Sequence, residues 1–207
     1  MIIFILLRKY LSISFVILPE NGLIEIINIK DMELAELCAR GDDKARKEVY
    51  ERYAASLYAL CIRYVGDREL ARDLMHDSMM KIFDTIGKYR PTGSLKSWVS
   101  RVTVNLVIDY LRRSRRFDTV SIEERQERIP EPSNDEMMSV PKAELLRMVE
   151  RLPDTKRVIF NMFCVEGYSH KDIAAMLGIK EKTSSSLLFK AREQLAGEVR
   201  NYLRING

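Results

Sequence analysis

The chain has 207 residues, of which 46% are apolar and 31% charged, and its formal net charge is +4. This composition predicts a soluble, packed, helical protein of one domain or two small ones. The three cysteines are far apart, and neither they nor the two histidines have the spacing of zinc ligands or of a disulfide framework. We therefore expect buried free thiols in a reducing compartment, with no metal site and no cofactor.

The first thirty residues contain two apolar runs separated by Arg8 and Lys9, and the second run ends at Pro19. That run is well short of the roughly 20 residues that span a bilayer, so we expect no stable membrane insertion. Three interpretations are open: a signal peptide without a good cleavage site, a short membrane-surface anchor, or an extension upstream of a start at Met32. We favour the third, because Met32 precedes a well-formed helical pattern, and we expect residues 1–30 to lie outside the fold.

Three helices are predicted between residues 31 and 87, and each shows the same signature. An acidic residue stands at the expected N-cap, an apolar stripe follows at helical spacing, and a glycine ends the pattern. The predicted caps and stops are, in chain order, Asp31 and Gly41, Asp42 and Gly66, and Asp67 and Gly87. With the helix that follows, these segments suffice for a small bundle with its own core.

The fourth predicted helix covers residues 94–116, after a KYRPTG loop, with Ser94 as its N-cap. An apolar stripe at helical spacing is expected to face the core, with Trp98 as a core anchor. The members of this apolar stripe are Leu95, Trp98, Val99, Val102, Leu106 and Tyr110.

A second stripe on the same helix is polar, and its members are Ser97, Arg101, Asn105, Asp109 and Arg112. Residues 96–116 also carry six Lys and Arg against one acid. A rigid helix with one apolar and one Arg/Asn face favours a surface that holds a nucleic-acid backbone and reads bases beside it. The alternative is an ordinary amphipathic surface helix with a solvated basic end.

Residues 117–140 have no apolar period and contain Pro130, Pro132 and seven acids against two Arg. We interpret them as a flexible acidic linker. The predicted architecture is therefore all-α, with one small helical domain at 31–116 and a second at 141–204.

Helical patterns resume at Pro141 and again at Pro153, and Gly167 breaks the second of them. Ser169 and Asp172 then form a capping pattern ahead of a short helix. Gly178 makes a turn, and a final helix from about residue 181 carries Leu188, Ala191 and Leu195 on its inner face. A short helix, a glycine turn and a second helix predict a DNA-binding helix-turn-helix.

The chain from about residue 33 to residue 200 resembles the extracytoplasmic-function (ECF) type of bacterial RNA polymerase sigma factor. ELARDLMHDSMMKIF (69–83) is similar to that family's core-polymerase-binding segment, A-x-D-L-x-Q-D-x-F, with His76 and Met79 in place of Gln and Phe. GSLKSWVSRVTVNLVIDYLRR (93–113) is similar to the segment that melts and reads the promoter −10 element. LPDTKRVIFNMFCVEGYSHKDIAAMLGI (152–179) and TSSSLLFKAREQL (183–195) are similar to the −35-reading domain, although the family commonly has basic residues where Ser185 and Leu187 stand.

The resemblance implies a cytoplasmic transcription initiation factor that binds core RNA polymerase and promoter DNA and is not an enzyme. It also implies an anti-sigma factor as a partner. The implied polymerase contacts are Asp73, His76, Asp77 and Lys81. The implied −10 contacts are Lys88, Arg90, Arg101, Asn105, Asp109, Arg112 and Arg113. The implied −35 contacts are Lys171, Thr183, Ser184, Ser185, Ser186, Phe189 and Lys190, and Leu187 is expected to meet a thymine methyl.

Three other classes of protein are weighed against this interpretation. A one-component helix-turn-helix regulator would use residues 31–116 as a sensor or dimerisation domain. A membrane-anchored signalling protein would depend on residues 1–18 alone. An all-helical enzyme is disfavoured, because the sequence offers no paired catalytic carboxylates, no Ser/His/Asp set and no Gly-rich phosphate loop, and no small-molecule substrate is expected.

Overall fold

A computed structural model describes residues 21–114 and 139–206, with side chains from residue 30 onward. The described part of the chain contains eight α-helices and no strand, which confirms the all-α class. The helices are α1 (Asn21–Ala39), α2 (Asp43–Val65), α3 (Arg68–Thr85), α4 (Leu95–Arg113), α5 (Lys142–Glu150), α6 (Asp154–Phe160), α7 (His170–Leu177) and α8 (Glu181–Asn206). A 3-10 turn, Ile86–Lys88, follows α3, and a π-helical turn, Asn161–Glu166, continues α6.

The chain forms two compact units, with the division between Tyr110 and Leu111 near the end of α4. In the first unit, α2 and α3 pack against each other, and α1 packs against both and against the 3-10 turn. In the second unit, α8 packs against α5, α6 and α7. The linker predicted at 117–140 lies outside the described residues except for its last two, and its role stays a prediction.

Helix α1 begins at Asn21, ten residues before the predicted cap. Asp31 lies inside this helix and is only 6% exposed, and its carboxylate accepts a hydrogen bond from the Leu95 N–H at 2.9 Å. The prediction that Asp31 caps its own helix is therefore wrong, because its oxygen serves a backbone group 64 residues away. The predicted fold boundary at residue 31 falls within a continuous helix, and residues 1–20 lie outside the described part.

The described helices include none whose length and apolar content would carry it across a lipid bilayer.

The predicted caps of α2 and α3 are confirmed. Asp42 accepts from the Ala45 N–H and Asp67 from the Leu70 N–H, each at 2.8 Å, so each carboxylate satisfies one of the backbone donors left free at a helix start. Gly66 ends α2 in the left-handed conformation, at φ 69°. The predicted stop at Gly87 is wrong, because α3 ends at Thr85 and Gly87 lies inside the 3-10 turn that follows. Ile86 of this turn is completely buried.

The buried face of α4 is rotated relative to the predicted apolar stripe. Leu95 and Val99 are fully buried as predicted, but Trp98, Val102 and Leu106 are half-buried and Tyr110 is 37% exposed. The other fully or almost fully buried side chains are Thr103, Val104, Val107, Ile108 and Leu111. Thr103 tolerates this position because its hydroxyl donates to the Val99 carbonyl at 3.0 Å within the helix. Two apolar series of helical period overlap in VTVNLVI, and periodicity alone does not choose between them.

All three cysteines, Cys38, Cys61 and Cys164, are buried and free, as predicted. Burial raises the pKa of Cys61 and of Cys164 to about 12, and it also raises the pKa of Cys38. The thiols therefore stay protonated near neutral pH and behave as small apolar core residues.

A buried arginine joins α5 to α6 in the second unit. Arg157 is 4% exposed, donates to the carbonyls of Glu150 at 3.1 Å and Leu152 at 2.8 Å, and pairs with Asp154 at 2.5 Å. These carbonyls belong to the end of α5 and the turn after it, where the helix offers no backbone donors. No sequence pattern pointed to this residue, since an arginine in the last turn of a short helix usually faces solvent.

The helix-turn-helix predicted around Gly178 is present. Ser169 and Asp172 form a reciprocal capping box at the start of α7. Gly178 adopts φ 71°, and the Ala174 carbonyl accepts from both the Gly178 and the Ile179 N–H. This left-handed closure ends α7 and turns the chain into α8 within three residues.

The two glycines of this region should respond oppositely to alanine. Gly178→Ala is expected to destabilise the second unit by about 1–2 kcal/mol, because a Cβ meets no neighbour there but the left-handed conformation penalises it. Gly197→Ala, in open space within α8, should stabilise it by about 0.5–1 kcal/mol, since alanine restricts the unfolded chain and favours helix. Amide hydrogen exchange of α7 and α8 in the full chain measures both changes in stability. Effects of the same sign would contradict the left-handed conformation of Gly178 or the helical position of Gly197.

Candidate nucleic-acid interface

The predicted polar stripe of α4 is exposed along its whole length. The exposed side chains are Ser97, Arg101, Asn105, Asp109, Arg112 and, beside them, Arg113. At 1.5 Å rise per residue, the stripe from Ser97 to Arg112 extends roughly 22 Å along the helix. It offers guanidiniums and an amide at fixed intervals on a rigid support, although Asp109 places one anion among the cations.

The start of α4 is held by two side chains from different parts of the chain. Ser94 is confirmed as an N-cap, because its hydroxyl accepts from the Ser97 N–H at 3.2 Å. The Leu95 N–H instead donates to Asp31 of α1. The end of the helix next to the KYRPTG loop is thereby fixed both locally and through the fold.

The KYRPTG loop is organised around Tyr89, which is only 4% exposed. Its hydroxyl donates to the Gly93 carbonyl at 2.6 Å, and its ring meets the edge of Trp98 at 6.1 Å between centroids and 68° between planes. The prediction of Trp98 as a core anchor needs correction, since this ring is half-buried and packs beside the loop. Trp98 and Tyr89 therefore form an aromatic pair at the base of the loop.

Two predicted cations lie on either side of Tyr89. Lys88 and Arg90 are both exposed. Arg90 donates back to the carbonyls of Gly87 at 3.3 Å and Tyr89 at 3.0 Å, so its guanidinium lies close to the loop backbone. The loop thus brings two positive charges to the same end of the unit as the start of α4.

The predicted polymerase contacts share one exposed face of α3. Asp73, Asp77 and Lys81 recur at steps of four residues, His76 lies three residues after Asp73, and all four side chains are exposed. Met80, 63% exposed, lies among them. The opposite face of α3 is buried, and Met79, which stands for the family's Phe, is part of that buried face. The exposed face has an apolar centre with charges around it, which is the usual anatomy of a protein–protein contact.

The predicted −35 residues separate into an exposed and a buried group. Lys171 and Ser185 are exposed, and Ser186, Phe189 and Lys190 are half-buried. Three predictions are corrected because these side chains face the core of the second unit: Thr183 is 9%, Ser184 0% and Leu187 6% exposed. Ser184 shares its stripe with Leu188, Ala191 and Leu195, so helical spacing from α8 would have revealed its burial.

Ser184 is part of a small cluster that joins α8 to α7. Its hydroxyl lies 2.9 Å from Nδ1 of His170, and the His170 ring stacks on Phe163 at 4.4 Å and 27°. Burial lowers the pKa of His170, which the Glu181 carboxylate partly opposes and the Arg192 charge reinforces. The imidazole is therefore neutral near pH 7 and acts as a structural contact between the two helices of the motif.

The fold defines an all-helical protein with two units, one of which carries a helix-turn-helix, an element typical of DNA-binding proteins. Residues 49–117 match the family model of Sigma-70 region 2, and residues 142–195 match that of Sigma-70, region 4. The chain is 30% identical over 167 residues to the ECF RNA polymerase sigma factor SigM of Mycobacterium tuberculosis, covering 80% of this chain and 83% of that protein. The chain belongs to the ECF family of RNA polymerase sigma factors.

Other relatives are similar at comparable identity. The ECF RNA polymerase sigma factor SigE of Mycolicibacterium smegmatis is 31% identical over 172 residues, which cover 80% of this chain and 65% of the length of that protein. The ECF RNA polymerase sigma-E factor of Escherichia coli is 26% identical over 187 residues, covering 85% and 97%. The solved structure of CnrH in complex with the cytosolic domain of CnrY is similar with a TM-score of 0.45 and 18% identity, covering 83% and 97%.

The region 2 match also bears on the rival classes of protein. A one-component regulator would need a sensor or dimerisation domain at residues 31–116, and most of that span matches sigma region 2 instead. Sigma factors as a family are DNA-binding initiation factors, which places the chain in transcription.

Proposed function

We propose that this chain binds core RNA polymerase through the exposed face of α3, directs it to promoters by two DNA contacts, and opens the DNA at the −10 element. The observation that carries the proposal is the exposed Arg/Asn stripe of α4 inside the segment that matches sigma region 2. The proposal needs no bond chemistry by this chain and locates its action in the cytoplasm. An anti-sigma partner stays a prediction of the resemblance.

At the −10 element, the KYRPTG loop and Asn105 would hold one flipped base of the non-template strand. An amide presents both a donor and an acceptor to the Watson–Crick edge of a base, and Asn105 is exposed on a rigid helix. Lys88, Arg90 and Arg101 would follow the phosphates of the single strand. Extruding a base costs a few kcal/mol, and these contacts would have to offset that cost.

At the −35 element, the first half of α8 would enter the major groove. Ser185 is exposed on that half, and Ser186, Phe189 and Lys190 are partly so, while Lys171 approaches from α7. Thr183 and Ser184 are left out of this contact because they are buried. Ser185 stands where the family commonly has a basic residue, so this surface can make fewer contacts to phosphates and guanines. We therefore expect weak binding to duplex DNA that falls steeply with salt concentration.

Reversing the charge of Asp77 tests the polymerase contact. Asp77→Lys is expected to weaken binding to core RNA polymerase roughly tenfold or more, because like charges brought together at an interface cost several kcal/mol. Competition binding against a labelled wild-type chain measures the effect. Glu36→Lys, the same reversal on the exposed face of α1, is the matched control and should bind within about twofold, as surface charges contribute little.

The proposed function as a whole is tested by reconstitution. Core polymerase mixed with the full chain is expected to start transcripts at defined positions on genomic DNA, and footprinting should show protection at two elements. Defined transcripts absent from every template, despite polymerase binding, would overturn the proposal.

A further inference from the structure

The Asp31 side chain of α1 hydrogen-bonds to the start of α4, the helix proposed to face DNA. The first amides of a helix have no acceptor inside it, and at α4 these amides adjoin the KYRPTG loop. Ser94 accepts from Ser97, which leaves the Leu95 N–H to Asp31 at 2.9 Å. The helix start is therefore capped both by a neighbour in sequence and by a carboxylate from α1.

The Asp31 carboxylate is buried, and the Leu95 N–H is its shorter contact, at 2.9 Å against 3.5 Å for Arg52. The side chain is 8% exposed, and the guanidinium of Arg52, 3.5 Å away, is itself 41% exposed and also bound to Glu48. The Asp31 carboxylate also acts electrostatically on the phenols of Tyr53 and Tyr89. Burial raises the pKa of both phenols, and the Asp31 charge raises each of them further. A buried carboxylate needs hydrogen-bond donors and positive potential, and a helix N-terminus supplies both.

This contact fixes the position of the surfaces proposed to hold DNA. The Tyr89 hydroxyl donates to the carbonyl of Gly93 at the end of the loop. Two residues later, Asp31 accepts from the N–H of Leu95, the first residue of α4. The loop cations and the polar stripe of α4 are both anchored at this point. Binding an extruded base is favoured when the contacting side chains are already ordered, because ordering a mobile site on binding reduces the net binding free energy.

We infer that Asp31 is a positioning residue for promoter opening, which it serves by capping α4 from α1 rather than by touching DNA or polymerase. The inference rests on the proposed function, since it takes α4 and its loop as the −10 surface. It assigns a functional role to a residue that precedes the sigma region 2 match at 49–117.

The test compares Asp31→Ala with Asp31→Asn in the full chain bound to core polymerase. Asp31→Ala removes the acceptor and is expected to slow promoter opening on duplex DNA by roughly three- to tenfold, which corresponds to a typical cap. Asp31→Asn keeps an oxygen for the Leu95 N–H and should open DNA within about twofold of wild type. Glu33→Ala, an exposed carboxylate two residues along α1, is the matched control and should match wild type. Permanganate reactivity of the promoter measures opening, and competition binding measures polymerase affinity.

A merely structural role predicts a different result, in which Asp31→Ala weakens polymerase binding as much as opening and Asp31→Asn fails to rescue. That result, or wild-type opening by Asp31→Ala, would overturn the inference. If Asp31→Ala does not fold, hydrogen exchange of the wild-type chain still gives a test. The inference requires the Leu95 amide to exchange slowly with solvent, because Asp31 accepts its hydrogen, and fast exchange would overturn the inference. Failure of the proposed function is distinguishable, since the wild-type holoenzyme itself would then open no promoter.

Discussion

Asn105→Ala is expected to lower the rate of promoter opening by about tenfold or more, while affinity for core polymerase stays within about twofold. A well-placed polar contact to a base contributes roughly 1–3 kcal/mol, and tenfold corresponds to about 1.4 kcal/mol. Asn105 is exposed midway along the polar stripe of α4, between Arg101 and Asp109. Removing its amide should cost the contact that captures the base and should leave the α3 face unchanged.

Two controls separate base capture from a general defect. Asn201→Ala removes an exposed amide from α8, where its partner is Arg204, and should leave opening unchanged. A template with the −10 region already unpaired should also reduce the Asn105→Ala defect, because the cost of extruding the base is then absent. Equal opening by Asn105→Ala and wild type on duplex DNA would remove Asn105 from the interface.

Arg157→Ala is expected to destabilise the second unit by about 3 kcal/mol or more. The substitution leaves the buried Leu152 carbonyl and the partly buried Glu150 carbonyl without their charged donor, and each such loss costs about 1–3 kcal/mol. It also opens a void where the side chain lay. The measurement is native-state hydrogen exchange of α5 and α6 in the full chain, because the single tryptophan, Trp98, reports on the first unit only.

Arg147→Ala is the matched control for this prediction. Arg147 is 63% exposed and forms a surface ion pair with Glu144, so its loss should change stability by less than about 0.5 kcal/mol. Similar exchange rates in the two variants would show that Arg157 contributes no more than a surface arginine.

The parts of the fold that the sequence predicted are those whose interactions are local. Asp42, Asp67 and Ser169 each cap a backbone group three residues away, and Gly66 and Gly178 turn the chain where they stand. Such signals are contained in short segments, so the helix order, the helix-turn-helix and the exposed Arg/Asn stripe followed from sequence alone.

The parts that escaped prediction depend on partners distant in sequence or on a choice between equivalent faces. Asp31 looks like a local cap until α4 is placed beside it, and a start at Met32 would delete this carboxylate. Arg157 appears as a surface charge until the end of α5 folds back over it. For α4, the two candidate apolar faces are offset by one residue in sequence, which is a rotation of about 100° about the helix axis. Packing against the rest of the fold selects one of them. Ser184 is buried, as its four-residue spacing from Leu188 indicates, and the prediction that it contacts DNA is wrong for that reason.

The buried thiols limit how this chain can respond to the chemical state of the cell. A cysteine reacts with peroxides or alkylating reagents as an accessible thiolate. Cys38, Cys61 and Cys164 are buried, and burial raises the pKa of each thiol, so they are neither accessible nor ionised near neutral pH. Local unfolding would have to precede any such modification. If oxidative stress governs the promoters that this chain selects, direct oxidation of a cysteine in the folded chain is not expected to be the trigger.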